Sequence, residues 1–509
     1  MAFKVMLVYP NMRGMNMLPP AMGLLSAVLK RAGIEVRLFD TTYYQSVEGK
    51  EVDSDGSKSD RLMARPFQMP HEVTCKTSNC FTDFRAEVQR FLPDLIGLSC
   101  TEDMFKLGVK LLSQVRDLGI PTIAGGVFPT FAPDIVLNQP EIDIICRGEG
   151  EDALLALCQK MERGESYDHI ANLWIKKPDG AVKKNATALI DMNANPLIDM
   201  SIFEEARFYR PMGGKVYKMF PVETFRGCPN TCAYCNSPSQ VQFYRQETGH
   251  SYLRRKSFEN LRRELKFYKD VMAAEYLYFW ADTFLSWTER DFEEFCELYQ
   301  EIRLPFWCQT RTETITKEKI TKMKNIGCAR MSFGIEHGNE QFRQKVLKRL
   351  TTNQMMLEKF RIIEESGIPF SVNNIIGFPH ETRELAFDTV RFNRQINAWD
   401  RNAYPYSPFH GTPLREECER LGFITHADIA QSFVVDGSIL DMPQFPRKEV
   451  NNLAKTFNMY VKFPESRWPQ IRQGEAETEE GRKIYTALKE EFIAKFWSRE
   501  PAAAAGEEG

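Results

Sequence analysis

Short apolar runs alternate with amphipathic stretches over the first 160 residues of the chain. Helical spacing of the apolar residues at 19–33 and 105–119 predicts two helices. Five apolar runs predict strands, at residues 3–10, 35–40, 95–100, 121–126 and 141–151. This alternation is typical of a doubly wound, Rossmann-like α/β domain, in which helices cover both faces of a parallel sheet.

A second alternation begins near residue 220 and has the same character. Charged helical stretches separate most of its six strand-like segments. These segments lie at residues 222–225, 275–282, 305–310, 330–336, 369–378 and 401–408. Six such units predict a partial (β/α)6 barrel of the TIM type, whose ligands bind at the carboxyl ends of the strands.

The connections between these regions give the domain organisation. Turn signals such as Pro178-Asp179-Gly180 mark a polar link between the two alternations, and beyond the second the pattern becomes helical and polar. The predicted regions are a Rossmann-like domain at 1–160, a linker at 161–218, a barrel at 219–415, a helical C-terminal region at 416–498 and a disordered tail at 499–509.

Composition and charge narrow the range of partners. The 509 residues include 66 Lys and Arg against 69 Asp and Glu, so the formal charge of −3 gives no electrostatic footprint for nucleic acid. No stretch reaches the roughly 18 apolar residues that a membrane span needs. Twelve cysteines without regular spacing fit a reducing compartment. We therefore expect a cytoplasmic protein.

Three of the cysteines are different, because they cluster in the loop after the first barrel strand. Cys228, Cys232 and Cys235 have Cys-x3-Cys-x2-Cys spacing in the segment RGCPNTCAYCN. Three thiolates are one fewer than a closed iron–sulfur or zinc site uses, which would leave one iron open. The alternatives are a zinc site completed by a distant ligand such as His250, or three unrelated thiols.

This motif resembles that of the radical S-adenosylmethionine (SAM) superfamily. The resemblance implies that the three cysteines hold a four-iron four-sulfur cluster whose open iron binds the amino and carboxylate groups of SAM. Reductive cleavage of SAM then yields a 5′-deoxyadenosyl radical. By the same resemblance, Tyr234 lies near the adenine of the cofactor.

Later strand ends match further positions of that family. The resemblance implies that Asp282 receives the methionine amino group, although Asp282 could instead cap the following helix. Arg311 is a candidate partner for the methionine carboxylate or, alternatively, part of a surface ion pair. Glu336 is expected at the ribose or amino end of SAM. Gly377 lies in IIGFPHET, which is similar to the segment whose backbone pairs with adenine.

The first domain resembles the cobalamin-binding domain found ahead of radical SAM barrels. The resemblance rests on PPAMGLLSAVL, PDLIGLSC and the strand ends of the predicted sheet. It implies that the nucleotide tail of cobalamin threads between sheet and helices, close to the serine and the Gly-Gly strand ends. The alternative is a degenerate domain that keeps the sheet without the cofactor. The implied contacts are Ser99, Gly125, Gly126, Thr130, Gly148, Glu149 and Gly150.

One departure from classical cobalamin enzymes concerns the axial ligand. Those enzymes place a histidine in the loop after the first strand, whereas the first histidine of this chain is His71. Any bound cobalamin is therefore expected to be base-off, with no histidine ligand to cobalt.

The two resemblances, which cover roughly residues 1–415, together imply a cobalamin-dependent radical SAM enzyme. Methylation of an unactivated carbon, or of phosphorus, is the favoured reaction. The alternatives are ring formation or rearrangement, as in the similar anaerobic magnesium-protoporphyrin ester cyclases, and a non-catalytic cobalamin or iron–sulfur sensor. A methylthiotransferase is less favoured, because Cys100, Cys146 and Cys158 do not have the arrangement of a second cluster site. The expected partners are a small-molecule substrate and an external electron donor such as flavodoxin or ferredoxin.

Overall fold

A computed structural model describes residues 2–14, 17–47, 50–51, 54–70 and 73–497. The predicted tail at 499–509 lies outside these residues. A seven-stranded sheet forms the N-terminal domain, and its strands have the spatial order β2-β1-β3-β4-β5-β6-β7. These strands are β1 (Lys4–Tyr9), β2 (Glu35–Asp40), β3 (Leu95–Ser99), β4 (Thr122–Gly125), β5 (Ile144–Cys146), β6 (Leu173–Lys176) and β7 (Val182–Lys184).

Helices cover both faces of this sheet, as the apolar pattern predicts. In the central strand β1, Val5 and Leu7 belong to one hydrophobic core, whereas Met6 and Val8 belong to another on the opposite face. All four side chains are buried, which is typical of a parallel strand between two helical layers. The main covering helices are Pro20–Arg31, Cys80–Phe91, Phe105–Ser113 and Glu151–Glu162.

The predicted boundary at residue 160 is too early. Strand β6 pairs antiparallel with β5, and β7 pairs with β6, so the sheet continues into the predicted linker. Leu173 and Ile175 alternate with more exposed neighbours and are buried in the core, which fixes the face of β6. Likewise, the predicted strand at 141–151 ends at Cys146, since a glycine-containing loop intervenes before the helix that begins at Glu151.

The second sheet is the predicted partial barrel, preceded by one antiparallel strand. The spatial order β8-β9-β10-β11-β12-β13-β14 follows the chain, and β9 to β14 are parallel. These strands are β8 (Tyr209–Met212), β9 (Lys215–Glu223), β10 (Tyr276–Trp280), β11 (Phe306–Thr310), β12 (Cys328–Glu336), β13 (Phe370–Ile376) and β14 (Asp400–Pro405). The strand predicted at 222–225 therefore begins earlier, at Lys215.

Five of the helices that connect the barrel strands begin after a serine or threonine that caps the helix. Ser257, Thr288, Thr316, Thr352 and Thr382 each accept a hydrogen bond from a backbone N–H in the first turn of the following helix. The barrel helices are Asn236–Thr248, Phe258–Lys266, Glu289–Tyr299, Lys317–Asn325, Asn353–Ser366 and Arg383–Asn393.

Helices also dominate the C-terminal region and pack on the barrel. Their bounds are Pro413–Arg420, Arg447–Lys462, Trp468–Gly474 and Glu479–Phe492. Val450, Leu453 and Phe457 of the second helix are fully buried in a core that includes Ile376 at the end of β13. Among the described residues, no helix is long and apolar enough to cross a membrane.

A buried carboxylate joins the N-terminal domain to the last barrel loop. Glu102, which follows β3, accepts hydrogen bonds of 2.8 Å from the backbone N–H of His410, from His410 Nδ1 and from the backbone N–H of Ala430. Arg415 lies 3.6 Å from the same carboxylate. All of these bonds cross between distant parts of the chain, so the carboxyl end of the first sheet is held against the barrel.

Candidate active site

The three-cysteine loop follows β9, at the carboxyl end of the barrel. Cys228 and Cys232 are buried, and Cys235 is partly exposed at the start of the helix Asn236–Thr248. Gly227 precedes the loop with a φ of +90°, and a Cβ there would lie 3.1 Å from both Tyr252 and Leu253. Glycine is therefore needed for the chain to turn into the loop.

Polar groups surround two of the cysteine sulfurs. Asn230 Nδ2 donates to Cys228 Sγ at 3.3 Å, and the hydroxyl of Thr283 lies 3.6 Å from the same sulfur. Arg311 Nη1 donates to Cys232 Sγ at 3.2 Å. Donors to sulfur stabilise thiolate over thiol and tune the reduction potential of a bound iron–sulfur cluster.

The cysteine sulfurs do not form a compact metal site by themselves. Within the described residues, the one set of three potential ligand atoms that lie within 4.8 Å of one another belongs to His410, Glu419 and His426. Because zinc and iron–sulfur sites both use cysteine ligands, the geometry of the loop alone leaves both alternatives open for Cys228, Cys232 and Cys235.

Arg311 is oriented by a carboxylate that the sequence reasoning missed. Glu313 accepts from Arg311 Nε at 3.0 Å and from Nη2, which leaves Nη1 facing Cys232. Burial alone would raise the pKa of Glu313, but hydrogen bonds from Arg311 and Thr351 lower it to about 2. Glu313 is therefore ionised and fixes the guanidinium. The sequence feature that could have indicated this pair is the position of Glu313, two residues after Arg311.

Glu336 also has a partner within the protein. It lies at the end of β12 with a φ of +66°, and Arg349 Nη1 contacts its carboxylate at 3.1 Å. The same nitrogen donates to Tyr234 Oη at 3.2 Å. Burial raises the pKa of Glu336, an effect that Arg349 opposes. The partly buried carboxylate thus has a partner within the protein, and Arg349 is a second residue that sequence reasoning missed.

Asp282 does not cap the following helix, since Thr288 caps it. Its carboxylate instead accepts a hydrogen bond from Ser237, near the third cysteine. Burial raises the pKa of Asp282, and the bond from Ser237 opposes this shift. The helix-cap alternative is therefore wrong, and the position of Asp282 agrees with a role at the cysteine loop.

One cavity of about 470 Å³ lies at the carboxyl end of the barrel, and we call it the barrel cavity. Tyr234, Cys235 and Asp282 line it, whereas Arg311, Glu336 and Gly377 do not. The backbone N–H of Gly377 donates to Glu381 at 2.6 Å, and a Cβ there would lie 2.6 Å from Val450. Gly377 therefore has a clear packing role, while its predicted adenine contact stays a prediction.

A second cavity, of about 390 Å³, lies at the carboxyl ends of β3, β4 and β5, and we call it the sheet cavity. Its lining includes all seven residues predicted to contact cobalamin, namely Ser99, Gly125, Gly126, Thr130, Gly148, Glu149 and Gly150. Gly126 and Gly148 have positive φ, and a Cβ at Gly148 would lie 2.5 Å from the Tyr244 hydroxyl. These glycines keep the strand ends clear of side chains, as a large planar ligand requires.

Glu149 has a stronger structural role than the sequence suggested. Its buried carboxylate accepts from Arg226 Nη1 at 2.6 Å, from Arg254, and from the backbone N–H of Ile190 at 3.1 Å. Arg226 and Arg254 lie on two short antiparallel strands, Phe225–Arg226 and Arg254–Arg255, which enclose the cysteine loop and the helix after it. Glu149 therefore links the two domains beside the sheet cavity.

The two cavities adjoin, since five residues line both. These residues, which we call the shared wall, are Glu223, Arg226, Gln240, Tyr252 and Trp280. Arg226 also contacts Glu151 at 2.8 Å and Glu223 at 3.1 Å. The carboxyl ends of the two sheets thus face each other across one layer of side chains.

Comparison with known families agrees with this geometry. The model of the radical SAM superfamily matches residues 222–392, which contain the cysteine loop and most of the barrel. The model of the B12 binding domain matches residues 69–158, which contain all seven sheet-cavity residues named above.

Two similar proteins are named as a methyltransferase and as a cyclase. It is 23% identical over 391 residues to a protein named as an uncharacterized methyltransferase of Pyrococcus horikoshii, covering 75% of this chain and 81% of that protein. It is 25% identical to the anaerobic magnesium-protoporphyrin IX monomethyl ester cyclase of Rubrivivax gelatinosus, covering 65% of this chain and 60% of the cyclase.

Among solved structures, the fold is similar to that of the radical SAM methyltransferase TsrM from Kitasatospora setae with cobalamin and a [4Fe-4S] cluster bound. The TM-score is 0.62 at 15% identity, and the match covers 97% of this chain and 100% of TsrM. At this identity the likeness confirms the predicted fold, a Rossmann-like domain followed by a partial barrel.

The contact between Arg311 and Cys232 gives a test on the reconstituted cluster. Replacing Arg311 by Gln removes a charged donor to a cluster sulfur, so reduction should become harder. We expect the midpoint potential of the cluster to become more negative by about 59 mV, which corresponds to a tenfold change in the one-electron equilibrium constant. Redox titration followed by electron paramagnetic resonance (EPR) measures it. Arg311→Lys keeps the charge and serves as the matched control, and an unchanged potential in Arg311→Gln would contradict the assigned contact.

Proposed function

We propose that this chain, a radical SAM enzyme with a cobalamin-binding domain, is a methyltransferase acting on an unactivated carbon or on phosphorus. The observation that carries the proposal is the shared wall between the sheet cavity and the barrel cavity. A substrate bound at that wall would be within reach of both cofactors, as methylation by this chemistry requires. The methyltransferase named among the relatives supports the same reading.

The cysteine loop has the donors to hold the iron–sulfur cluster and SAM. Cys228, Cys232 and Cys235 would be the cluster ligands, and Arg311 would stabilise the charge on Cys232 and would be the candidate donor to the methionine carboxylate. Asp282 would accept the methionine ammonium group beside Ser237. When bound, these cofactors supply a 5′-deoxyadenosyl radical, and cobalamin supplies the methyl group.

Further residues would position these groups. Arg349 holds Tyr234 and Glu336 together under the loop, so the predicted adenine neighbour has a fixed ring position. Glu313 fixes Arg311 through Nε and Nη2. Because Glu313, Arg349 and Glu336 are held by ion pairs within the protein, the site is organised before any cofactor binds.

We also propose that cobalamin binds base-off without a histidine ligand to cobalt. The lining of the sheet cavity, as far as the structure describes it, includes no histidine. If so, the EPR spectrum of bound cob(II)alamin will show no superhyperfine splitting from an axial nitrogen. Nitrogen splitting in that spectrum would overturn the proposal, and free cob(II)alamin at neutral pH gives the reference for a nitrogen-ligated state.

The electron that reduces the cluster must come from outside the chain, because the cysteine loop is the one cluster motif in the sequence. We propose a small low-potential donor such as flavodoxin or ferredoxin.

Methylation is tested with SAM that carries deuterium in its methyl group. The product of anaerobically reconstituted enzyme, given reductant, cobalamin and candidate substrate, should gain the labelled methyl group, and 5′-deoxyadenosine should be released. Mass spectrometry measures both. Cys232→Ala is the control and should abolish both signals through loss of a cluster ligand. Release of 5′-deoxyadenosine by the variant at the wild-type rate would refute the role of the loop.

A cyclase or rearrangement reaction is the second candidate. The similarity to the anaerobic magnesium-protoporphyrin IX monomethyl ester cyclase favours it, although the chain covers only 60% of that protein. The labelled cofactor separates the two, since ring formation would release 5′-deoxyadenosine without transferring deuterium to the product.

A further inference from the structure

From the shared wall we propose that the substrate is a non-anionic molecule with a flat aromatic part, bound against Trp280. This inference rests on the proposed function, because only a substrate that meets both cofactors must lie at that wall. It adds the substrate class, which neither family model specifies, and it favours methylation at carbon over methylation of a phosphorus acid.

The wall offers no free positive charge to an anion. Arg226 is the one cation among the described residues that line the barrel cavity. Its guanidinium is already paired with Glu149 at 2.6 Å, Glu151 at 2.8 Å and Glu223 at 3.1 Å. A phosphate or carboxylate placed there would lose its hydration without gaining a partner, which is costly.

The charges around this wall are instead negative in sum. Arg226 and Arg254 are set against Glu149, Glu151 and Glu223, which gives one excess negative charge in the ion-pair cluster. Lys256 and Arg263 also line the sheet cavity, but Lys256 is paired with Glu264 at 2.6 Å, and the same lining has four carboxylates against three cations. A neutral or cationic group is therefore favoured over an anion at the shared wall.

Aromatic rings supply the rest of the surface. Trp280 ends β10, whose four preceding residues are buried, yet 42% of Trp280 is exposed. Tyr252, also in the wall, is stacked on Tyr244 with ring centroids 4.5 Å apart. Across the barrel cavity, Tyr404 and Phe433 form an edge-to-face pair at 5.1 Å. Such surfaces bind flat apolar molecules with offset or edge-on ring contacts.

A matched series of probes tests the charge and the ring separately. The probes are 2-naphthalenemethanol, 2-naphthylmethylamine and 2-naphthoate, which share one ring system and are neutral, cationic and anionic. Equilibrium dialysis against the reconstituted enzyme with cobalamin and SAM, without reductant, measures their dissociation constants. We expect the neutral and cationic probes to bind about tenfold more tightly than 2-naphthoate, because the anion lacks a partner.

Two variants locate the binding. Glu223→Gln removes one carboxylate, so the disadvantage of 2-naphthoate should shrink. Trp280→Leu should weaken the neutral probe about tenfold through loss of ring contact. Trp307→Leu, on the neighbouring strand and outside both cavities, is the matched control and should leave affinity unchanged.

Binding of 2-naphthoate as tightly as the amine would overturn the charge argument. Failure of the neutral and cationic probes to bind at millimolar concentration would overturn the aromatic argument. Because no turnover is involved, these results are independent of whether labelled methyl transfer is observed, and either proposal can fail alone.

Discussion

The arrangement of both candidate sites depends on one buried ion-pair cluster centred on Arg226. This guanidinium lies two residues before the first cysteine of the loop and contacts Glu149 and Glu151 of the N-terminal domain as well as Glu223 of the barrel. Burial opposes its charge, but the three carboxylates raise the pKa of Arg226 well above its ordinary value. Removing one partner from such a buried pair typically costs about 3–5 kcal/mol.

This cluster joins the sheet of the N-terminal domain to the sheet of the barrel, so that the two sheets form one site. Each sheet presents its carboxyl ends, where ligands bind in both doubly wound sheets and barrels. Arg226 contacts Glu149, and Glu102 contacts His410, so two buried contacts hold those ends together. The sheet cavity and the barrel cavity are therefore adjacent, and a molecule at the shared wall would contact ligands bound in both cavities.

Local sequence patterns predicted most of the fold. Apolar periodicity placed most strands of both sheets, and the glycines named at 125, 126, 148 and 150 line the sheet cavity. Strands β6, β7 and β8 were missed, because polar residues and turn signals dominate the segment 161–218.

The partners of Glu336 and Glu149 were missed, because Arg349, Arg226 and Arg254 are distant from them in the sequence. Glu313 was missed although it follows Arg311 by two residues, since that spacing alone does not fix the direction of a side chain.

If the iron–sulfur cluster binds at the cysteine loop and cobalamin binds in the sheet cavity, the two cofactors lie on opposite sides of the shared wall. EPR of holoenzyme holding a reduced cluster and cob(II)alamin should then show dipolar splitting or broadening of both signals. Protein reconstituted with only one cofactor gives the reference spectra. A holoenzyme spectrum equal to the sum of those references would place the cofactors far apart and contradict their assignment to adjacent cavities.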